Sequence, residues 1–120
     1  MSRIRHIAFL SDNPEEDRRF YLKVFGVKEL RRSELNPANV MLSDGEIFIN
    51  IVKRRPSHNK PVGFYHVGFQ IDKVELFRER LRQEGFSDQL VPRPEGVHAQ
   101  YRLTDPSNVL IDVAETCWEV

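Results

Sequence analysis

Cysteine is nearly absent from this chain: Cys117 is the single one in 120 residues. An internal disulfide framework is thereby excluded, and a reducing compartment fits. No apolar run approaches the roughly 18 residues that a membrane helix needs, and no secretory leader is visible, so the expectation is a cytoplasmic protein with no membrane partner. An excess of either charge is also missing, with 18 Lys and Arg against 18 Asp and Glu. Nothing therefore favours nucleic acid. The basic cluster Lys53-Arg54-Arg55 is short and abuts Pro56, and it reads as a solvated loop.

What the chain does contain is a copy of itself. Ile4-Arg5-His6-Ile7-Ala8-Phe9-Leu10-Ser11-Asp12 is repeated as Phe64-Tyr65-His66-Val67-Gly68-Phe69-Gln70-Ile71-Asp72. Each copy gives His, a β-branched residue, a tiny residue and Phe, with Asp six positions after the His. Gly26 and Gly85 then close two helical patterns, and Leu42-Ser43-Asp44-Gly45 is answered by Leu103-Thr104-Asp105-Pro106. Matches in the same order along both halves indicate duplication. Halves of this size are marginal alone, so the expectation is a single domain over residues 1–120, with modules at about 1–53 and 63–120 joined by a Pro-containing linker at about 54–62.

Residues 3–10 have the alternation of a strand. Asn13-Pro14-Glu15-Glu16 is a helix start, with an Asn cap, Pro in the first turn and acids at the positive end of the dipole. Strands are expected at about 27–33, 38–42 and 46–53, with a hairpin at Asp44-Gly45. The second module repeats this with a strand at 64–71, a helix at about 73–84 and strands near 88–91, 98–104 and 108–115. The predicted fold is α+β: two tandem βαβββ modules forming a curled mixed sheet around a cavity. Trp118 is expected on the outside or against a partner chain.

Strand parity places Ile7, Phe9, Ile49, Ile51, Val67, Phe69, Ile111 and Val113 under the helices, and His6, Asn50, His66 and Asp112 on the opposite face. A carboxylate between Leu110 and Ala114 is costly to bury without a partner. Two imidazoles and a carboxylate can hold a divalent metal and leave positions open for a ligand. Two other readings stand beside this one: histidines hydrogen-bonded within their strands, and Asp112 paired with Arg102 and no metal. Arg102 shares the inward parity with Gln100 and His98, and a guanidinium there suits a substrate carboxylate or phosphate.

His66 in YHVGFQID and the turn Asp105-Pro106 leading to Asp112 resemble the vicinal oxygen chelate superfamily, which includes glyoxalase I, extradiol dioxygenases, methylmalonyl-CoA epimerase and bleomycin resistance proteins. The resemblance covers nearly the whole chain. It implies that His6, His66 and Asp112 are metal ligands for Fe(II), Mn(II) or Zn(II), with Asn50 as a fourth ligand or a hydrogen bonder and Arg102 orienting an anionic substrate. Two departures stand out. Asp112 is one methylene shorter than the family's usual Glu, and Asn50 stands where glyoxalase I has a ligating Glu and the epimerase a Gln. Arg102 stands where ring-cleaving dioxygenases have a Tyr. Parity puts the nearby Glu115 on the wrong face. The expected function is a divalent-metal enzyme, either dioxygenase or isomerase/lyase, acting on a small oxygen-bearing substrate. The alternative is a metal-free small-molecule binding or resistance protein. A homodimer is expected, because curled modules leave edges and a concave face to cover.

Overall fold

A computed structural model describes residues 2–32, 36–94, 97 and 99–116. The expectations for His98, Cys117 and Trp118 lie outside the described residues. Strand β1 (Arg3–Ser11) is followed by helix α1 (Pro14–Phe20), whose end winds more loosely through Tyr21–Phe25. Strands β2 (Lys28–Arg32), β3 (Val40–Ser43) and β4 (Phe48–Lys53) complete the first half. After a single tight turn at Pro56–His58, the second half runs β5 (Gly63–Gln70), α2 (Val74–Gln83), β6 (Val91–Pro92), β7 (Tyr101–Thr104) and β8 (Leu110–Ala114).

The eight strands of the described residues form one mixed sheet in the order β2-β3-β4-β1-β5-β8-β7-β6, and it does not close on itself. Within each half the first strand lies parallel to the last, β1 to β4 and β5 to β8. The halves meet where β1 and β5 pair antiparallel. This is the α+β, tandem βαβββ architecture that the repeat predicts. The edge strand β6 is shorter than the expected 88–91, and its counterpart β2 has five residues. Pro92 lacks a backbone donor, and after one more bond, from the Arg93 amide to the Gln100 carbonyl at 2.9 Å, Pro94 lacks one too.

The helices start differently. Asn13 caps α1 through a side-chain oxygen that accepts from the Glu16 amide. In α2 the corresponding residue is Lys73, which makes no side-chain cap, and the Glu115 carboxylate accepts from the Val74 amide at 2.8 Å instead. Gly26 ends the first helical stretch at φ 71°, a left-handed conformation that favours glycine.

One face of the sheet carries the helices. Val40, Leu42 and Ile51 are buried there with Tyr21 and Leu22, and Ile71, Val74 and Val113 with Phe77. Across the other face, Met41 and Phe48 of the first half pack with Ala99 and Ala114 of the second. The hairpin turns also correspond. Asp44 accepts from the amides of Glu46 and Ile47, and Asp105 from those of Ser107 and Val109. The second turn is one residue longer, so that Asp44 is matched by Asp105, 61 positions on, but Ile49 by Ile111, 62 positions on. Among the described residues, no helix is long and apolar enough to cross a membrane.

Candidate metal centre

Strand register builds the site. On the face away from the helices, one rung of the sheet reads Phe48, His6, Gly68, Asp112 and Arg102 across β4, β1, β5, β8 and β7. The adjacent rung reads Met41, Asn50, Ala8, His66 and Leu110 across β3, β4, β1, β5 and β8. Because β1 and β5 are antiparallel, the tiny residue of each copy faces the histidine of the other: Gly68 opposes His6 and Ala8 opposes His66. At Gly68 this is a strict requirement. A Cβ there would lie 2.0 Å from His6 Cε1 and 2.1 Å from His6 Nδ1, far inside any tolerable contact.

His6, His66 and Asp112 are buried, with 1%, 6% and 4% of their surface exposed. Their candidate ligand atoms all lie within 4.8 Å of one another. His66 Nε2 is 2.9 Å from His6 Nε2 and 3.3 Å from Asp112 Oδ2. The shorter Asp side chain therefore reaches, because β8 lies directly beside Gly68. Arg102 clamps the same carboxylate, with Nε donating to Oδ1 at 2.6 Å and Nη2 to Oδ2 at 3.2 Å. Its Nη1 donates to the Tyr65 hydroxyl at 3.3 Å, and its Nη2 lies 3.5 Å from His66 Nδ1.

The electrostatics follow from burial and these partners. Burial pushes the His66 pKa down to about 4, with Arg102 and Arg93 adding to the fall and Asp112 opposing it, so the imidazole is neutral near pH 7. Burial alone would raise Asp112, but the hydrogen bond and charge of Arg102 lead the effects that outweigh it and hold the carboxyl below its ordinary value. Burial likewise works against charge on Arg102, and its bonds to Asp112 and Tyr65 keep its pKa raised.

A neutral His66 imidazole and an ionised Asp112 carboxylate are protonation states that a divalent cation needs. Asn50 lies on the same face beside Ala8, and its Oδ1 is buried without a hydrogen-bond partner among the described residues, a costly state for an amide oxygen. This donor set fits a divalent ion. Glu115 is occupied at the start of α2, as its parity requires.

Tyr65 is the site residue that parity misses. The β1–β5 register passes from Ala8–His66 to Phe9–Phe64 and skips Tyr65, so Tyr65 is the extra residue of a bulge. Its ring packs edge-on against His66, with centroids 4.6 Å apart. Arg5 is skipped in the same way between Ile4–Phe69 and His6–Gly68, and its guanidinium lies 5.8 Å from the centre of the Phe48 ring. Both bulges immediately precede a histidine.

The family model described as Glyoxalase/Bleomycin resistance protein/Dioxygenase superfamily matches residues 3–113. No curated protein matches the chain. Among solved structures, the hypothetical protein BH1468 from Bacillus halodurans C-125 is 21% identical with a TM-score of 0.70, over 93% of this chain and 92% of that one. A variant of Streptomyces coelicolor methylmalonyl-CoA epimerase, in complex with 2-nitronate-propionyl-CoA, is 20% identical with a TM-score of 0.69, over 98% and 97%. Methylmalonyl-CoA epimerase from Mycobacterium tuberculosis is 14% identical with a TM-score of 0.68, over 92% and 85%. At these identities the likeness is one of fold.

Proposed function

This chain belongs to the glyoxalase/bleomycin resistance protein/dioxygenase superfamily, and from that membership we propose that it is a divalent-metal-dependent enzyme acting on a small, oxygen-bearing, anionic organic substrate. The observation that carries the reading is the convergence of His6, His66 and Asp112 from both halves of the chain on one buried point. A divalent ion held there supplies Lewis acidity to neighbouring substrate oxygens.

The chain's own residues do the rest. His6 and His66 offer ring nitrogens, Asp112 the one negative oxygen donor, and Asn50 an amide oxygen as fourth donor or hydrogen-bond acceptor. Arg102 grips the anionic group of the substrate. A divalent ion and the Arg102 guanidinium against one carboxylate would leave the place net positive, which favours an anionic ligand. Asn50 is an amide and serves as no base. The donor set serves an oxygenase or an isomerase/lyase, and oxygen uptake with Fe(II) separates these from solvent-deuterium incorporation with Mn(II) or Zn(II).

Metal analysis of protein purified without chelator tests the proposal. About one equivalent of metal in wild type, lost in His66→Ala, is the expected result. Wild type that takes up no Fe, Mn or Zn overturns it. The bidentate Arg102–Asp112 pair favours a second reading, a metal-free protein that binds a small molecule on the same face. Thermal stabilisation by small organic acids that is indifferent to added metal is its signature.

A further inference from the structure

Arg102 competes for the carboxylate that an ion would need. Both Asp112 oxygens accept from its fork, at 2.6 and 3.2 Å, and no oxygen of this carboxylate is left outside the clamp. Its Nη2 also faces His66 Nδ1 at 3.5 Å, a weak contact that is favourable only when Nδ1 carries no proton. A neutral imidazole that gives its Nε2 to a cation carries its proton on Nδ1. In that tautomer His66 presents N–H to a guanidinium that offers N–H in return. Two separate features, a doubly occupied carboxylate and a ring nitrogen facing a donor, therefore set Arg102 in its present place against cation binding.

Resting on the metal-centre reading above, we infer that Arg102 is a reciprocal gate that closes Asp112 in metal-free protein and, when a cation takes the carboxylate, is released to bind the anionic group of the incoming ligand. Arg102 has somewhere to go. Its Nη1 already rests on the Tyr65 hydroxyl, and its charge lies 5.5 Å from the centre of the Tyr65 ring. The bulge that turns Tyr65 onto this face thus supplies a second seat for the guanidinium once Asp112 is taken. Cation and anion then raise each other's affinity through one side chain, as linkage requires of any two sites that compete with a common third group.

Calorimetric titration of the chelator-treated full chain, with oxalate as the anionic probe and Mn(II) as the cation, tests the gate. Metal-free wild type is expected to bind oxalate at least tenfold more weakly than metal-free Asp112→Asn, in which the guanidinium is released without any metal. The gain should vanish in Asp112→Asn combined with Arg102→Gln. Asp112→Ser serves as a second release variant, and a thermal melt confirms that each variant is folded. Folded release variants that bind oxalate no better than wild type overturn the inference, as does a gain that survives the loss of Arg102. The Mn(II) titration separates this from the parent proposal. Wild type that binds no Mn(II), together with the oxalate gain, removes the metal centre and upholds the competition between Asp112 and an anion for Arg102.

Discussion

Met41 and Asn50 in the first half occupy the sheet positions that Arg102 and Asp112 occupy in the second; each is a cross-strand pair on the outer three strands of its own half. In one half the pair is a thioether and an amide, in the other a guanidinium and a carboxylate. The backbone around them is the same: a parallel first and last strand, an Asp-stabilised hairpin, and a bulge just before the histidine. The duplication therefore fixes where side chains sit, and the guanidinium–carboxylate pair is written into one copy alone. A centre that takes one imidazole from each half but its only carboxylate from the second is lopsided about the pseudo-twofold axis. Its stability and its chemistry should be lopsided too.

The largest effect expected is on the charged pair. In chelator-treated protein, Arg102→Met leaves Asp112 buried without its counter-ion and should cost about 3–5 kcal/mol in urea unfolding at pH 7. Met41→Leu, at the matching position, conserves volume and should cost under ~1.5 kcal/mol. Equal losses would break the asymmetry.

Acid should act through the second half as well. The folded His66 has a pKa lowered to about 4 from 6.5, so the unfolded chain binds the proton first. The stability that comes from its neutral form is complete above about pH 6.5 and is lost as the pH falls towards 4. At about 1.4 kcal/mol per unit, this amounts to at most about 3.5 kcal/mol. Unfolding curves of metal-free protein across this range should slope in wild type and flatten in His66→Gln. A slope unchanged in the variant would move its origin elsewhere.

The smallest contrast concerns the two tiny residues. Gly68→Ala drives a Cβ into the His6 ring and should cost about 1–3 kcal/mol together with the alignment of His6. Ala8→Gly removes a methyl from a buried strand and should cost about 0.5–1 kcal/mol. Thermal melts of both variants, with and without Mn(II), sharpen the comparison, and a Gly68→Ala protein as stable as wild type would contradict the packing described above.

The extent to which this was legible in the residues follows the same division. The repeat and the period of two were enough for the architecture and for putting His6, Asn50, His66 and Asp112 on one face, because each depends on local alternation. Helix α2 is read at about 73–84 and found at Val74–Gln83. The grip of Arg102 on both oxygens of Asp112 was visible only as one option among several, since it depends on which of two partners a long side chain meets. Tyr65 was invisible to parity because a bulge breaks the alternation on which parity rests. The capping of α2 by Glu115 joins residues 41 apart, beyond the reach of any cap motif.

The join between β1 and β5 sets when, as well as where, the centre comes into being. Its two imidazoles are separated by 60 positions along the chain, and pairings of that span are among the slow ones to form in a folding chain. Either half arriving early holds one imidazole and no partner for it. If the proposed metal centre forms, affinity for an ion should appear in a refolding experiment in a single late phase, coincident with the union of the halves, and a nascent chain halted before Asp112 would lack the carboxylate of that centre.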